Sequence, residues 1–435
     1  IQYQNRNMNK KTTFVALCLA MSLGSWAQTK QGGISPQMLS EIQKLQSQTP
    51  ASKALFNAIA ANNIDDLVKN HANQGPVDTH FSVETPAQSI HDQKSSGRCW
   101  MFSGFNVLRS NFAKAHGDSL KVELSHDYLF FYDQLEKANL MLQGVIDNAK
   151  KPIDDTRVQF FFKSPINDGG TFCGVADLAD KYGVVPMSIV PETYSAENTS
   201  RISRLVASKL REFGLELRDM VAKGKNAKAI NERKTQMLAT IYNMLSMTLG
   251  EPVKEFTYAF TDKNGKTVGT PKKYTPKEFF HEVVGDGIKG TFIMVMNDPR
   301  RPYHKTYEVE YDRHTYDGTN WKYLNLPMDE IAQLAIASLK DGRKMYSSYD
   351  VGKQYDRKRG LLDVNNYDYA SLFSTTFGMD KAQRISTFDS GSTHAMTLSA
   401  VDLDANGKPL KWKVENSWGP ANGQNGCLIM TNEWF

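Results

Sequence analysis

Cysteine, histidine, asparagine and glutamine can together split an amide bond, and this chain carries all four in settings that suit the work. Cys99 stands in Gln93-Lys94-Ser95-Ser96-Gly97-Arg98-Cys99-Trp100-Met101-Phe102-Ser103, where a polar, glycine-containing loop gives way to a helical apolar pattern through Trp100, Phe102, Val107, Leu108 and Phe112. A free thiol is mostly protonated near neutrality, and only the thiolate is a strong nucleophile. A helix start offers it the positive end of the macrodipole, and a nearby imidazolium would lower its pKa further. His394 opens a strand in which Met396, Leu398 and Ala400 share its face. Asp404-Ala405-Asn406-Gly407 then reads as a hairpin turn before a second strand, Lys411 to Asn416. A hairpin centred near Ala405 pairs residues whose numbers sum to about 810, as those of His394 and Asn416 do, so the two are expected side by side. Asn416 then accepts the imidazole N–H and fixes its tautomer. Gln93, six residues before Cys99, is expected to donate its side-chain amide to a developing oxyanion beside the Cys99 backbone N–H.

Each residue has a plainer reading. An arbitrary cysteine is most often a small buried hydrophobe, and an arbitrary histidine a satisfied structural one. His91 is the rival base, close to Cys99 in sequence but without an evident orienting partner. Cys173 reads as structural or as the edge of a specificity pocket. There is no Cys-x-x-Cys pair and no His-Glu-x-x-His, so zinc is not favoured. The basic runs Arg357-Lys358-Arg359 and Lys272-Lys273 lack interleaved aromatics and read as solvated surface, which argues against nucleic acid as a partner.

The elements that must hold these groups change character along the chain. Helical periodicity dominates from Cys99 to Leu249, and strands dominate from Thr291 onward, broken by one helix from Pro327 to Leu339. That is an α+β pattern with the nucleophile in the first half and the base in the second. The expected organisation is a leading segment 1–27, an extension 28–74, a helical lobe 75–200, a mainly helical insertion 201–290 and a β-rich lobe 291–435. With 435 residues and 40% hydrophobic content, the chain can bury a sizeable core. Lys10-Lys11, the apolar run Phe14 to Leu23 and Ser25-Trp26-Ala27 read as a secretory signal cut before Gln28, so the protein is expected to be exported. Its removal takes Arg6, Lys10 and Lys11 and lowers the net charge from +5 to +2, which demands no anionic partner. It also removes Cys18 and leaves three widely spaced cysteines, which form no disulfide framework. The residues before Met8 read as an upstream extension of the reading frame. No later segment is apolar enough to span a membrane.

A glutamine, a cysteine, a histidine and an asparagine in that order resemble the papain superfamily. Gln93 to Trp100 and Val414-Glu415-Asn416-Ser417-Trp418-Gly419 narrow the resemblance to the bleomycin hydrolase and aminopeptidase C family. It extends over Tyr128-Leu129-Phe130-Phe131, Asn167-Asp168-Gly169-Gly170, Asn297-Asp298-Pro299-Arg300, Asp350-Val351-Gly352-Lys353 and Glu433-Trp434-Phe435. The resemblance implies a papain-like two-lobed fold with a largely helical insertion, since Cys99 and His394 lie 295 positions apart against roughly 130–150 in the simple papain pattern. It implies a cofactor-free cysteine aminopeptidase acting on peptides with free N-termini and assembled as a homo-oligomer, typically a cytosolic hexamer. Asp168, Gly169 and Gly170 are implied to pair with substrate in extended form, and Trp418 to cover the His–Asn hydrogen bond at the substrate side. The family continues past the position of Phe435 into a tail that reaches the cleft. With 435 residues as the whole protein, the cleft is expected to be open and N-blocked peptides to be cut internally. The rivals are a broader thiol endopeptidase or drug-inactivating amide hydrolase, a transglutaminase-like enzyme, and a non-catalytic nucleic-acid-binding protein. Asn416 and Gln93 argue against the transglutaminase arrangement, whose orienting residue is an aspartate.

Overall fold

The computed structural model describes residues 32–45 and 49–435; the expected signal segment lies outside them. The chain divides into two units, one up to Leu67 and one from Val68 to Phe435. Among its described residues the first holds three helices, Pro36–Leu45, Pro50–Ala61 and Ile64–Leu67. Thr49 and Ser52 cap the second of these reciprocally, each hydroxyl accepting the other's backbone N–H at 3.0 and 2.7 Å.

Everything that bears on chemistry is in the second unit. A short strand β1 (Val83–Glu84) precedes α1 (Cys99–Ala115), α2 (His126–Asp147), α3 (Phe172–Tyr182), α4 (Ser200–Ala222) and α5 (Ala227–Leu249). The apolar periodicity of α1 is nearly all round, as suits a helix buried between other layers: Trp100, Met101, Phe105 and Leu108 are all buried. Gly117, with φ of +60°, lies just beyond its end. Ser125 caps α2 by accepting the Tyr128 N–H at 3.1 Å. Helices α4 and α5 lie along α2, and their inner faces (Leu210, Met237, Ile241) join Trp100, Leu129 and Phe131 in one apolar core.

Next come α6 (Met328–Lys340), β2 (Met345–Tyr349), β3 (Tyr355–Asp356), β4 (Leu361–Leu362), β5 (His394–Leu403), β6 (Pro409–Glu415) and β7 (Cys427–Thr431). Among the described residues these strands and β1 form a seven-stranded sheet in the order β1-β5-β6-β7-β4-β3, with β2 also paired to β5. Strand β5 is buried along almost its whole length because both faces are covered. Met396 and Leu398 join a second core with Trp412, Val414 and Leu428, while on the opposite face the Thr397 hydroxyl donates to the Ser103 carbonyl of α1 at 3.2 Å.

Two expectations need correction. The strand read from Thr291 to Met296 is only Val295–Met296. The β5–β6 hairpin is also out of the expected register: Thr397 faces Glu415 and Ala400 faces Lys413, with a bulge at Ser399 between them. The bulge adds one unpaired residue to β5 and re-aims what precedes it. Continued outward, this register sets Trp418 opposite His394 and leaves Asn416 on the diagonal, still within side-chain reach.

Candidate active site

The loop ahead of α1 is held by two carboxylates that accept its backbone N–H groups. Lys94 takes a φ of +54°, steadied by its N–H to Asp92 Oδ1 at 2.8 Å. The Gly97 N–H donates to Asp168 Oδ2 at 2.6 Å. A Cβ at Gly97 would sit 2.4 Å from Asp168 Oδ1, so only glycine fits there. Arg98 caps α1 through backbone alone, and Cys99 begins the helix with its N–H among the donors that no helical carbonyl takes.

The thiol accepts the Ala395 N–H at 3.5 Å, which sets Cys99 against the first turn of β5, next to His394. His394 Nε2 lies 2.7 Å from Asn416 Oδ1, and Asn416 is itself fixed by the Ser417 N–H at 2.8 Å. Because Asn416 occupies Nε2, the ring nitrogen left for the thiol is Nδ1. Trp418 stacks on the imidazole at 4.6 Å between centroids and 22° between planes. Burial pushes the Cys99 thiol up, partly offset by the N–H groups of Ala395 and Trp100. It also pulls His394 down, against the hydrogen bond that His394 donates to Asn416. Burial thus biases both groups toward their neutral forms.

Gln93 is buried beside the thiol loop. Its Oε1 accepts the Ser417 hydroxyl at 2.6 Å, its backbone N–H donates to the Ser417 carbonyl at 2.9 Å, and one N–H of Nε2 goes to the Ser96 carbonyl. Among the described residues no partner takes the second N–H of Nε2. His91, the rival base, pairs with Glu123 at 2.7 Å, a carboxylate that also binds Arg109.

The Asp168-Gly169-Gly170 loop adjoins the turn that carries Cys99, and its parts are held in different ways. Both the Gly97 N–H and the Thr199 hydroxyl donate to the Asp168 carboxylate, and its carbonyl accepts the Trp100 indole N–H at 2.9 Å. Its side chain thus braces the loop before Cys99. Gly170 is exposed, and among the described residues no hydrogen bond engages its N–H or C=O. The reason for glycine there lies behind it: a Cβ would meet His314 Cε1 at 2.1 Å.

His314 belongs to a buried network that the sequence did not reveal. Its Nδ1 lies 2.5 Å from Asp133 Oδ1, and its Nε2 accepts the Thr171 N–H at 3.4 Å. Lys137 Nζ binds Asp133 at 2.9 Å and the carbonyls of Asn167 and Gly169 at 3.0 and 2.6 Å. Burial opposes Asp133's charge, but Lys137 and His314 overcome it and hold its carboxyl below the usual range. A sequence signal existed only for half of this: Asp133 and Lys137 are i,i+4 neighbours on α2.

The chain belongs to the Peptidase C1-like family, whose model matches residues 33–435. Aminopeptidase C of Lactobacillus delbrueckii subsp. lactis is 39% identical over 392 residues, covering 89% of this chain and 86% of that protein. Human bleomycin hydrolase is 38% identical over 368 residues, covering 81% and 79%. The crystal structure of PepW from Lactobacillus rhamnosis HN001 superposes with a TM-score of 0.87 at 36% identity, over 93% of this chain and 90% of that one. The α+β, papain-like architecture expected from the sequence is thus the one found, and the chain is a cysteine peptidase.

Proposed function

We propose that this protein is a cysteine aminopeptidase in which Cys99 is the nucleophile, His394 the base and then the acid, Asn416 the orienting residue and Gln93 an oxyanion donor. The observation that carries the reading is the thiol at the start of α1 beside a histidine whose far nitrogen is held by Asn416 at 2.7 Å. As substrate approaches, the thiol proton passes to His394 Nδ1 and Sγ attacks the scissile carbonyl carbon. The carbonyl oxygen becomes an oxyanion, met by the Cys99 N–H and the second N–H of Gln93 Nε2, each worth about 3–4 kcal/mol at such sites. Collapse expels the amine, which takes the proton from His394 and leaves a thioester. Neutral His394 then draws a proton from water, whose oxygen attacks the thioester and releases the acid and the thiol. Gly170, with its backbone N–H and C=O unengaged, pairs with the substrate in extended form. Trp418 covers the His–Asn hydrogen bond from solvent, and Asp168 with Gly169 keeps the loop in place.

The relatives named aminopeptidase C support exopeptidase action. Hydrolysis of a peptide with a free N-terminus and of its N-acetylated form tests this directly. Preference for the free form is expected, and equal cleavage would favour a broad thiol endopeptidase. An epoxide reagent for thiol peptidases should label Cys99 alone; failure to label it would leave a non-catalytic binding protein. The resemblance extends the proposal to a homo-oligomer, measurable by sedimentation. Lys10-Lys11 with the apolar run after it supports export, checked by the mass of the mature N-terminus. No helix among the described residues is long and apolar enough to cross a membrane.

A further inference from the structure

Arg98, next to the nucleophile, is fully buried. Its guanidinium lies 5.3 Å from the ring centroids of both Phe102 and Phe130. Nη1 sits 2.7 Å from Glu192 Oε2, an ion contact without hydrogen-bond alignment. His126 Nδ1 approaches the other oxygen of Glu192 at 3.4 Å. Burial alone would raise the Glu192 carboxyl, yet His126 and Arg98 hold it at about 2, so the pair stays ionised at neutral pH. Buried ion pairs of this kind are often matched or bettered in stability by apolar side chains of the same size. Stability therefore gives little reason for an arginine here, and its remaining contact gives a better one. Arg98 Nε donates to Ser96 Oγ at 3.1 Å. Ser96 Oγ in turn donates to the Gln93 carbonyl at 2.6 Å, and the Ser96 carbonyl accepts from Gln93 Nε2. A continuous line of contacts runs from Glu192 through Arg98 and Ser96 to the Gln93 side-chain amide.

We infer that Arg98 is a positioning residue for the oxyanion hole: anchored by Glu192, it fixes Ser96 and through it the direction of the Gln93 amide. This rests on the catalytic reading of Cys99 and Gln93 above. Arg98 meets no substrate. Its loss lets the 93–98 loop relax, and a displacement of about 1 Å at a reacting group costs on the order of 10²-fold in rate.

A double-mutant cycle on the full chain tests it. Arg98→Met alone should lower kcat about 10²-fold with KM within about twofold. In a Gln93→Ala background the same change should cost less than about threefold, because the donor it positions is already gone. Alkylation of the Cys99 thiol by iodoacetamide should proceed at an unchanged rate. Should Arg98→Met fail to fold, Ser96→Ala cuts the same line while leaving the Arg98–Glu192 pair whole, and the same non-additivity is expected. Equal losses in both backgrounds, or no loss from Arg98→Met, overturn the inference. Activity retained by Cys99→Ala in the same assay overturns instead the reading on which it rests.

Discussion

His394 and His314 are both buried, both pulled toward the neutral form by that burial, and both bonded to a partner side chain. One nevertheless sits beside the Cys99 thiol and the other in scaffolding. The difference lies in the second ring nitrogen. His314 spends Nδ1 on Asp133 and Nε2 on the Thr171 N–H, so it has nothing left to offer a reacting group. His394 spends Nε2 on Asn416, and its Nδ1 has no hydrogen-bond partner among the described residues. The partners differ in kind as well. A neutral amide orients His394 without clamping its charge, whereas Asp133 and Lys137 lock His314 inside an ionic network. Burial and a perturbed pKa are common to both, so neither by itself marks a catalytic histidine; an uncommitted nitrogen next to a thiol does.

The contrast breaks first on the reactive side. His394→Ala and Cys99→Ala should each lower kcat by about 10⁴-fold or more, since members of one catalytic unit fail together. A folded variant of either that kept a tenth of wild-type kcat would contradict the assignment. Asn416→Ala keeps the imidazole and should cost about 10²-fold, the lower end of a general base's contribution. A loss as deep as that of His394→Ala would mean Asn416 does more than orient. On the scaffolding side the loss should appear in stability. His314→Ala removes one partner of a buried charge and should cost about 3 kcal/mol in urea titration, with kcat changed far less than by His394→Ala. A stable His314→Ala enzyme without activity would erase the distinction.

A third buried histidine sharpens the point through pH. His126 is pulled by burial to about 4 from 6.5. Between those values the unfolded chain takes up a proton that the fold refuses, so its contribution to stability is lost as pH falls. Its neighbour Asp127 is pushed by burial and the Glu192 charge to about 7 from 3.8. The folded form there keeps a proton the unfolded one gives up, so stability rises as pH falls. The two nearly cancel in the wild type. Asp127→Asn should unmask the His126 slope, a loss of about 2 kcal/mol between about pH 6.5 and 5. His126→Gln should unmask the opposite slope. Denaturant midpoints at several pH values measure both, and parallel curves for the two variants would refute the pairing.

How much could be read beforehand follows the same division. Cys99, Gln93, His394 and Asn416 were legible because each sits in a contiguous run whose residue types suit its chemistry. The helices from Cys99 to Leu249 were legible from apolar spacing. The register of β5 on β6 was not, because the bulge at Ser399 falls inside a strand buried along almost its whole length, with no glycine to announce it. The His314 network was not, because its members come from α2 and from an irregular stretch 181 positions later. An Asp–Lys pair four residues apart ordinarily marks a solvated helix face, and here that face is turned inward. Gly170 was noticed for the approach of a substrate in front, while the crowding that excludes a side chain is His314 behind it.

The separation of Cys99 from His394 also sets a clock. A ribosome emits the thiol first and adds about 5–20 residues each second, so roughly 15–60 seconds pass before the histidine is even made. Throughout that interval the nascent polypeptide carries a cysteine with no base to take its proton and no strand to lean on. The pair of thiol and imidazole therefore forms only after the strand β5 has been made and packs against α1.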